Sequence, residues 1–410
     1  MNILVWGINY APEVTGIAPC NTALCRYLLT KGHEVCMVTA FPYYPAWRLP
    51  SLDRWKIFRT DLLDGVRVHR CWLYVPVKPT VFRRLVHEAS FVFSSFLRVI
   101  FLPRPDLVIV ISPPLALGVA AWLACLIKRS RYVFHVQDLQ PDAGAALGLL
   151  KRGFFMRMLL WLESFAYRKA ALVSGISPGM VATFQQKGVP PEKCLYFPNS
   201  IKLSAVSGVE RNSFRKRHGL CGGEFLAVYS GNFGAKQGLD ILLEAASRLR
   251  GHPVRIILCG EGHQRERIVQ RIKQGGLENV ILLPLLPEPE YQSLLADANL
   301  CMITQQLGTG RCFFPSKLLP ALARGRPILA AAEADSELAR AVIEGGFGTV
   351  TPPNDPDKLA AVLLQLLKQP EQLEKWGQAA LSHVRQFDSE IVHARFFDEL
   401  TNKLFRCAKM

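Results

Sequence analysis

Short apolar runs alternate with helical patterns along most of the chain. In the first half, residues 1–9 (MNILVWGIN) read as a strand, Cys20–Lys31 as a helix closed by Gly32, and 34–40 (EVCMVTA) as a second strand. Residues 106–112 (DLVIVIS), 131–138 (RYVFHVQD) and 171–177 (ALVSGIS) read as further strands, with helical stretches over about 115–128 and 153–169. The second half repeats this logic. Strands at 225–231, 254–260, 280–286, 300–304, 326–332 and 347–353 alternate with helices at 237–250, 263–274, 288–298, 315–324 and 336–344, and closing helices run from 356 to about 406. Continuous apolar strands between helices predict parallel sheets covered on both faces. The polar, irregular stretch 197–212 separates the halves. The expected fold is α/β, with two Rossmann-like domains facing across a cleft. Their expected limits are 1–198 and 199–385, and a last helix, 386–410, packs back on the first domain. Ligands of such sheets bind outside the carboxyl ends of the strands.

Length and composition agree with this picture. A chain of 410 residues, half of them hydrophobic and 20% charged, supplies two ordinary cores and excludes a disordered chain. The charge is uneven. Residues 1–200 carry 23 Lys and Arg against 11 Asp and Glu, a net of +12, and the remainder carries 26 against 22, a net of +4. A basic first half calls for an anionic neighbour. Nucleic acid is disfavoured, because the cations are not interleaved with aromatics in a stacking pattern. A membrane surface suits one segment. In 80–102, Phe82, Leu85, Val86, Ala89, Phe93, Phe96, Leu97 and Ile100 follow helical spacing, flanked by Arg83, Arg84 and Arg98. A basic helix with so apolar a stripe suits peripheral binding at about 82–102 to anionic lipid; the alternative is a helix that covers the core. Apolar runs fall short of the about 20 residues that span a bilayer. The start lacks a basic region ahead of its apolar run, so no secretory leader is expected. The 11 cysteines are scattered without zinc spacing, which suits reduced, buried thiols in the cytoplasm.

Candidate chemistry gathers at strand ends. Gly16 lies in the turn between the first strand and its helix, where backbone can approach an anion. His135 and Asp138 end the fourth strand, as a catalytic pair or as a core histidine and a helix cap. The loop YSGNFGAKQGL (229–239) holds Gly231, Asn232 and Lys236 ahead of a helix and suits a diphosphate. Glu261 sits in a GEG turn. Ser316 and Lys317 fall in the first turn of a helix, where a lysine is unfavourable unless an anion is present.

Taken together, NYAPEVTGIAP, FPYYP (41–45), HVQDLQPDA, FPNS, YSGNFGAKQGLDILLEAA, GEG and FPSKLLPALARGRPIL resemble a bacterial family 4 glycosyltransferase, most like the colanic acid fucosyltransferase type. The resemblance implies a GT-B fold and a retaining transfer without metal or cofactor. It implies a GDP- or UDP-sugar donor, GDP-fucose among them, and a lipid-linked or polysaccharide acceptor at the inner face of the cytoplasmic membrane. By position, Gly16 would face the donor phosphates and His135 the transferred sugar. Asn232 and Lys236 would face the diphosphate. Ser316 and Lys317, followed by Leu318, would offer backbone N–H groups, and Glu261 and Leu285 would lie by the base. One departure stands out. Cys312 and Pro320 occupy the places of two glutamates eight positions apart, the later of which holds the ribose in relatives. A nucleotide-sugar epimerase on the same fold and a non-catalytic partner of a glycan assembly remain as alternatives.

Overall fold

The computed structural model describes residues 1–77, 80–146, 148, 153–205, 212–220, 223–310 and 314–406. The chain divides into two compact units, Met1–Asn199 with Glu390–Met410, and Ser200–Ser389.

The first unit is built on β1 (Asn2–Trp6), β2 (Glu34–Ala40), β3 (Phe58–Leu63), β4 (Val66–Cys71), β5 (Leu107–Ser112), β6 (Arg131–Val136), β7 (Leu172–Gly175) and β8 (Cys194–Tyr196). Their order is β3-β4-β2-β1-β5-β6-β7-β8, parallel except for the edge strand β3. Around it lie α1 (Ala18–Thr30), α2 (Val81–Ile100), α3 (Leu117–Lys128), α4 (Gln140–Ala146), α5 (Phe154–Lys169) and α6 (Pro178–Gln186). β5 is buried at every position, as its apolar run requires. The β3–β4 hairpin escapes the sequence reading because β4 carries Arg67, His69 and Arg70. Arg70 is buried because Asp61 Oδ2 accepts from its Nε at 2.8 Å and the Ala11 carbonyl from its Nη2 at 2.5 Å.

The second unit carries α7 (Ser213–Arg217), then β9 (Phe225–Ser230), α8 (Asp240–Arg248), β10 (Val254–Cys259), α9 (Arg265–Gly275), β11 (Val280–Leu283), α10 (Glu288–Asp297) and β12 (Leu300–Thr304). It continues with α11 (Leu318–Ala323), β13 (Ile328–Ala331), α12 (Glu337–Glu344), β14 (Gly348–Thr351), α13 (Pro356–Leu367) and α14 (Pro370–Val384). The strand order is β11-β10-β9-β12-β13-β14, and every pairing is parallel. The order reverses between β9 and β12, so the loops after these two strands flank the switch-point crevice. The final helix, α15 (Ser389–Thr401), packs Val392, Phe396 and Leu400 into the core of the first unit.

Two expected helices start later than the sequence suggests. A 3-10 turn, Ala235–Gln237, and Gly238 at φ +59 precede α8. α11 begins at Leu318, so Ser316 and Lys317 form the turn before it rather than its first turn. The eight described cysteines are all free and six are buried.

Candidate active site

Two loops of the second unit create the site's chemistry. The chain leaves β9 through Gly231 at φ +135, a value open to glycine and strained for other residues. The loop is fixed from below. Gly231 N–H donates to the Cys259 carbonyl at 2.9 Å, Phe233 N–H to the Glu261 carbonyl at 2.8 Å, and the Tyr229 hydroxyl to the Asn232 carbonyl at 2.9 Å. The GEG turn packs directly against it. A Cβ on Gly260 would lie 1.9 Å from the Gly231 oxygen, and one on Gly262 would lie 2.5 Å from the Phe233 oxygen.

Lys317 comes from the second loop. Its side chain folds across Gly231, and Nζ sits 3.7 Å from the centroid of the buried Tyr229 ring. The ammonium nitrogen is enclosed and has no hydrogen-bonding partner among the described residues. Burial, reinforced by the positive charge of Lys236, pushes its pKa down to about 7. A cation–π contact is worth at most about 2 kcal/mol, less than the desolvation of an ammonium. An anion beside it would offset that desolvation. Lys236 is half-buried in the facing loop, and its carbonyl accepts from Gln306 N–H at 2.9 Å, which ties the two loops together. Two cations beside glycine-lined backbone at a switch point can stabilise negative charge.

The other expected donor residues of this unit divide. Asn232 is exposed beside Gly262. The Glu261 carboxylate pairs with Arg265 Nε at 3.1 Å, one helical turn on. Leu285 is half-buried in the loop after β11, and Ser316 is exposed. Leu318 is a correction. Its N–H donates to the Pro315 carbonyl at 3.1 Å and its side chain is core, so it offers no amide to a ligand. Pro320 lies in the first turn of α11, where its missing N–H costs little. Cys312 lies outside the described residues.

In the first unit, His135 lies inside the sheet. Its Nδ1 is 2.9 Å from Ser174 Oγ and its Nε2 is 2.8 Å from the Gln137 amide nitrogen. Burial pushes its pKa down to about 3. With both nitrogens hydrogen-bonded and the ring neutral, it fits the core-histidine alternative. Asp138 is half-buried in the turn between β6 and α4. Gly16 is exposed at φ +66 before α1.

The sequence reading missed Glu13. Its Oε1 accepts from the N–H groups of Tyr43 and Tyr44 at 2.9 and 2.8 Å, and its Oε2 from the Asn9 amide at 2.8 Å. This buried carboxyl clamps the NYAPEVTG loop to the FPYYP loop. Burial raises its pKa, and the three hydrogen bonds oppose the rise. The signal was present as a glutamate between proline and glycine in a strand-end loop.

Known proteins match along the whole chain. Residues 15–200 match the glycosyl transferase 4-like domain, and 210–383 match glycosyl transferases group 1. The chain is 32% identical over 411 aligned positions to the putative colanic acid biosynthesis glycosyl transferase WcaI of Escherichia coli K12, covering 98% of this chain and 100% of that one. The chain belongs to the glycosyltransferases. Solved structures agree on the fold. Sucrose-phosphate synthase from Thermosynechococcus elongatus superposes with a TM-score of 0.77 at 18% identity, covering 99% of each chain. HepE of Anabaena, in complex with UDP-glucose, gives 0.73 at 17% identity over 98% of this chain and 99% of its own. The fold is GT-B, as the motifs implied.

Proposed function

We propose that this glycosyltransferase takes a sugar from a GDP- or UDP-sugar and delivers it, with retention of configuration, to a lipid-linked or polysaccharide acceptor in cell-envelope glycan synthesis. The observation that carries the donor reading is the enclosed, unpartnered Lys317 ammonium beside Gly231 and within electrostatic reach of Lys236. Cleavage of the donor's glycosidic bond leaves an oxocarbenium-like sugar and a nucleoside diphosphate. The principal demand is to stabilise the charge growing on that diphosphate. Lys317 and Lys236 meet it, with the amides of the 231–238 loop. The acceptor hydroxyl attacks on the face that the leaving group vacates, and its proton passes to the departing phosphate.

Lys236→Ala is expected to lower transfer about 100-fold, the loss of one preorganised donor of charge stabilisation. Turnover on a panel of UDP- and GDP-sugars measures it, and undiminished turnover removes Lys236 from the mechanism. Product analysis of the donor alone separates transfer from epimerisation.

We place the enzyme on an anionic membrane surface, at the cytoplasmic face. The stripe of α2 read from the sequence points outward: Phe82, Val86, Phe93 and Leu97 are exposed, whereas the core face presents His87, Phe91, Ser94, Ser95 and Val99. α3 packs beside α2 and α5 beside α3, and they add exposed Leu126, Ile127, Phe154 and Trp161. Arg98 is committed elsewhere: its Nη2 donates to Thr60 Oγ1 at 2.9 Å, whereas Arg83 and Arg84 are exposed in the first turn of the helix. None of the helices among the described residues is long and apolar enough to cross a membrane. A Phe82→Glu, Phe93→Glu double variant is expected to lose at least about tenfold in binding to phosphatidylglycerol vesicles, since each phenylalanine contributes roughly 1.5–3 kcal/mol when buried. Flotation assays read this, and unchanged flotation refutes the docking face.

A further inference from the structure

The carboxyl end of the first sheet holds a second polar site. We propose that the Glu88 carboxylate, with the His87–Tyr43–Trp47 ring cluster, forms the subsite that holds a neutral pyranose of the acceptor through its hydroxyls. This rests on the transfer reading above and gives it a residue-level acceptor side.

The loops that build the subsite follow four neighbouring strands, β2, β1, β5 and β6. After β1, Glu13 fixes the backbone of Tyr43 and Tyr44, which follow β2. After β5, Leu115 N–H donates to Gln140 Oε1 at 2.9 Å, and Gln140 begins α4 after β6. Its amide then reaches across to Glu88 Oε1 on α2 at 3.3 Å. That long contact is the one hydrogen bond of Glu88 among the described residues, and it forms no ion pair there. The nearby Arg84 instead covers the Trp47 ring at 5.5 Å. Burial lifts the Glu88 pKa to about 7, against the Gln140 hydrogen bond and the Arg84 charge.

His87 adds a second acceptor. Its Nδ1 lies 2.6 Å from the Tyr74 carbonyl, which can only accept, so Nδ1 carries the proton. Nε2 is then a lone-pair acceptor, and it is buried without a partner. His87 Nε2 is thus a buried acceptor short of a donor, a costly state, and the half-buried Glu88 carboxylate beside it has acceptor capacity that Gln140 does not fill. Hydroxyl groups supply those donors, and an anion cannot. The rings give the other half of sugar recognition. Tyr43 meets His87 at 4.6 Å and Trp47 at 5.6 Å, with Tyr44 6.5 Å from Trp47. Tyr43 is buried behind the half-buried Tyr44 and Trp47, whose rings can meet the C–H face of a pyranose where Arg84 does not cover them. Trp47 is held over His87 at φ +50, a conformation that a bulky residue adopts only when its surroundings impose it.

Saturation-transfer NMR on the full chain tests the subsite with methyl galactoside, glucoside and fucoside, and with methyl glucuronoside as the anionic counterpart. The neutral sugars are expected to give signals and the glucuronoside none. Glu88→Ala should reduce the signals at least about fivefold, the value of one good hydrogen bond, and the isosteric Glu88→Gln should weaken them without changing the fold. Thermal shifts with UDP and GDP, run in parallel, should match the wild type in both variants. Silence from every neutral sugar on the wild type, a glucuronoside signal of equal strength, or full signals in Glu88→Ala overturns the proposal. Absent thermal shifts on the wild type count instead against the donor reading, since the sugar experiment needs no nucleotide.

Discussion

Lys317→Met is expected to cut sugar transfer by roughly 100- to 1,000-fold while raising the melting temperature. The two effects have one cause. In the free protein the ammonium is enclosed, lies over Tyr229 and lacks a hydrogen-bonding partner among the described residues. Methionine keeps the length and apolar contacts of the stem and removes the stranded charge, which stabilises by roughly 1–3 kcal/mol. The gain depends on pH, with a definite sign. The lysine pKa falls from 10.5 unfolded to about 7 folded. Between these values the unfolded chain holds a proton that the folded protein lacks, so wild-type stability rises as pH increases from about 7 toward 10.5. Below about 7 the folded protein carries the buried charge and the penalty is complete. The advantage of Lys317→Met is therefore largest at pH 6–7 and shrinks toward pH 10. Donor binding runs the other way, because the diphosphate supplies the missing partner: affinity is highest at and below pH 7 and declines above it. Thermal melts across this range, with and without UDP and GDP, measure both. A wild-type melting temperature that parallels Lys317→Met from pH 6 to 10 contradicts the buried ammonium.

Much of this site was legible in the sequence, for a physical reason. Strands buried on both faces read as unbroken apolar runs, so β1, β5, β9 and β10 and the loops leaving them are found directly. Gly231 and Lys236 then follow from glycine and charge at a strand end. The edges were less legible. β3 alternates exposed and half-buried positions and β4 is rich in cations, although Asp64 and Gly65, at φ +50 and +82, are the residue pair that a tight hairpin turn requires. Side-chain fates that depend on tertiary register were not legible at all. Nothing local says that Lys317 folds over Tyr229, that Leu318 spends its amide on Pro315, or that His135 meets Ser174 on the adjacent strand. The apolar stripe on α2 was read correctly as a stripe. Its direction was not available from spacing, because His87, Ser94 and Ser95 make the inward face more polar than the outward one. Ser95 is inward because its hydroxyl accepts from the buried Trp6 indole at 3.0 Å.

Gly260→Ala is expected to be among the most disruptive single-methyl additions in the second unit, costing roughly 4 kcal/mol or more. Gly260 sits at φ +152, so any side chain is strained there before contacts are counted. The added Cβ would then lie 1.9 Å from the Gly231 oxygen and 2.9 Å from its carbonyl carbon. These are backbone atoms between paired strands, held by the Gly231 N–H bond to Cys259, so relief requires displacing the 231–234 loop itself. That loop carries the backbone on which the Lys317 side chain rests, so a protein that survives the change loses the donor site as well as stability. Gly276→Ala is the matched control. It also has a positive φ, +54, at the C-cap of α9, with open space around the added methyl, so it carries only the conformational cost of about 1 kcal/mol. Urea unfolding of the two variants, with nucleotide-induced thermal shifts on each, separates strain from collision. The expected order is a small loss with full nucleotide binding for Gly276→Ala, and a large loss with none for Gly260→Ala. Equal, small losses would mean that the GEG turn yields freely, and the close packing that shapes the diphosphate site would not be the constraint its geometry implies.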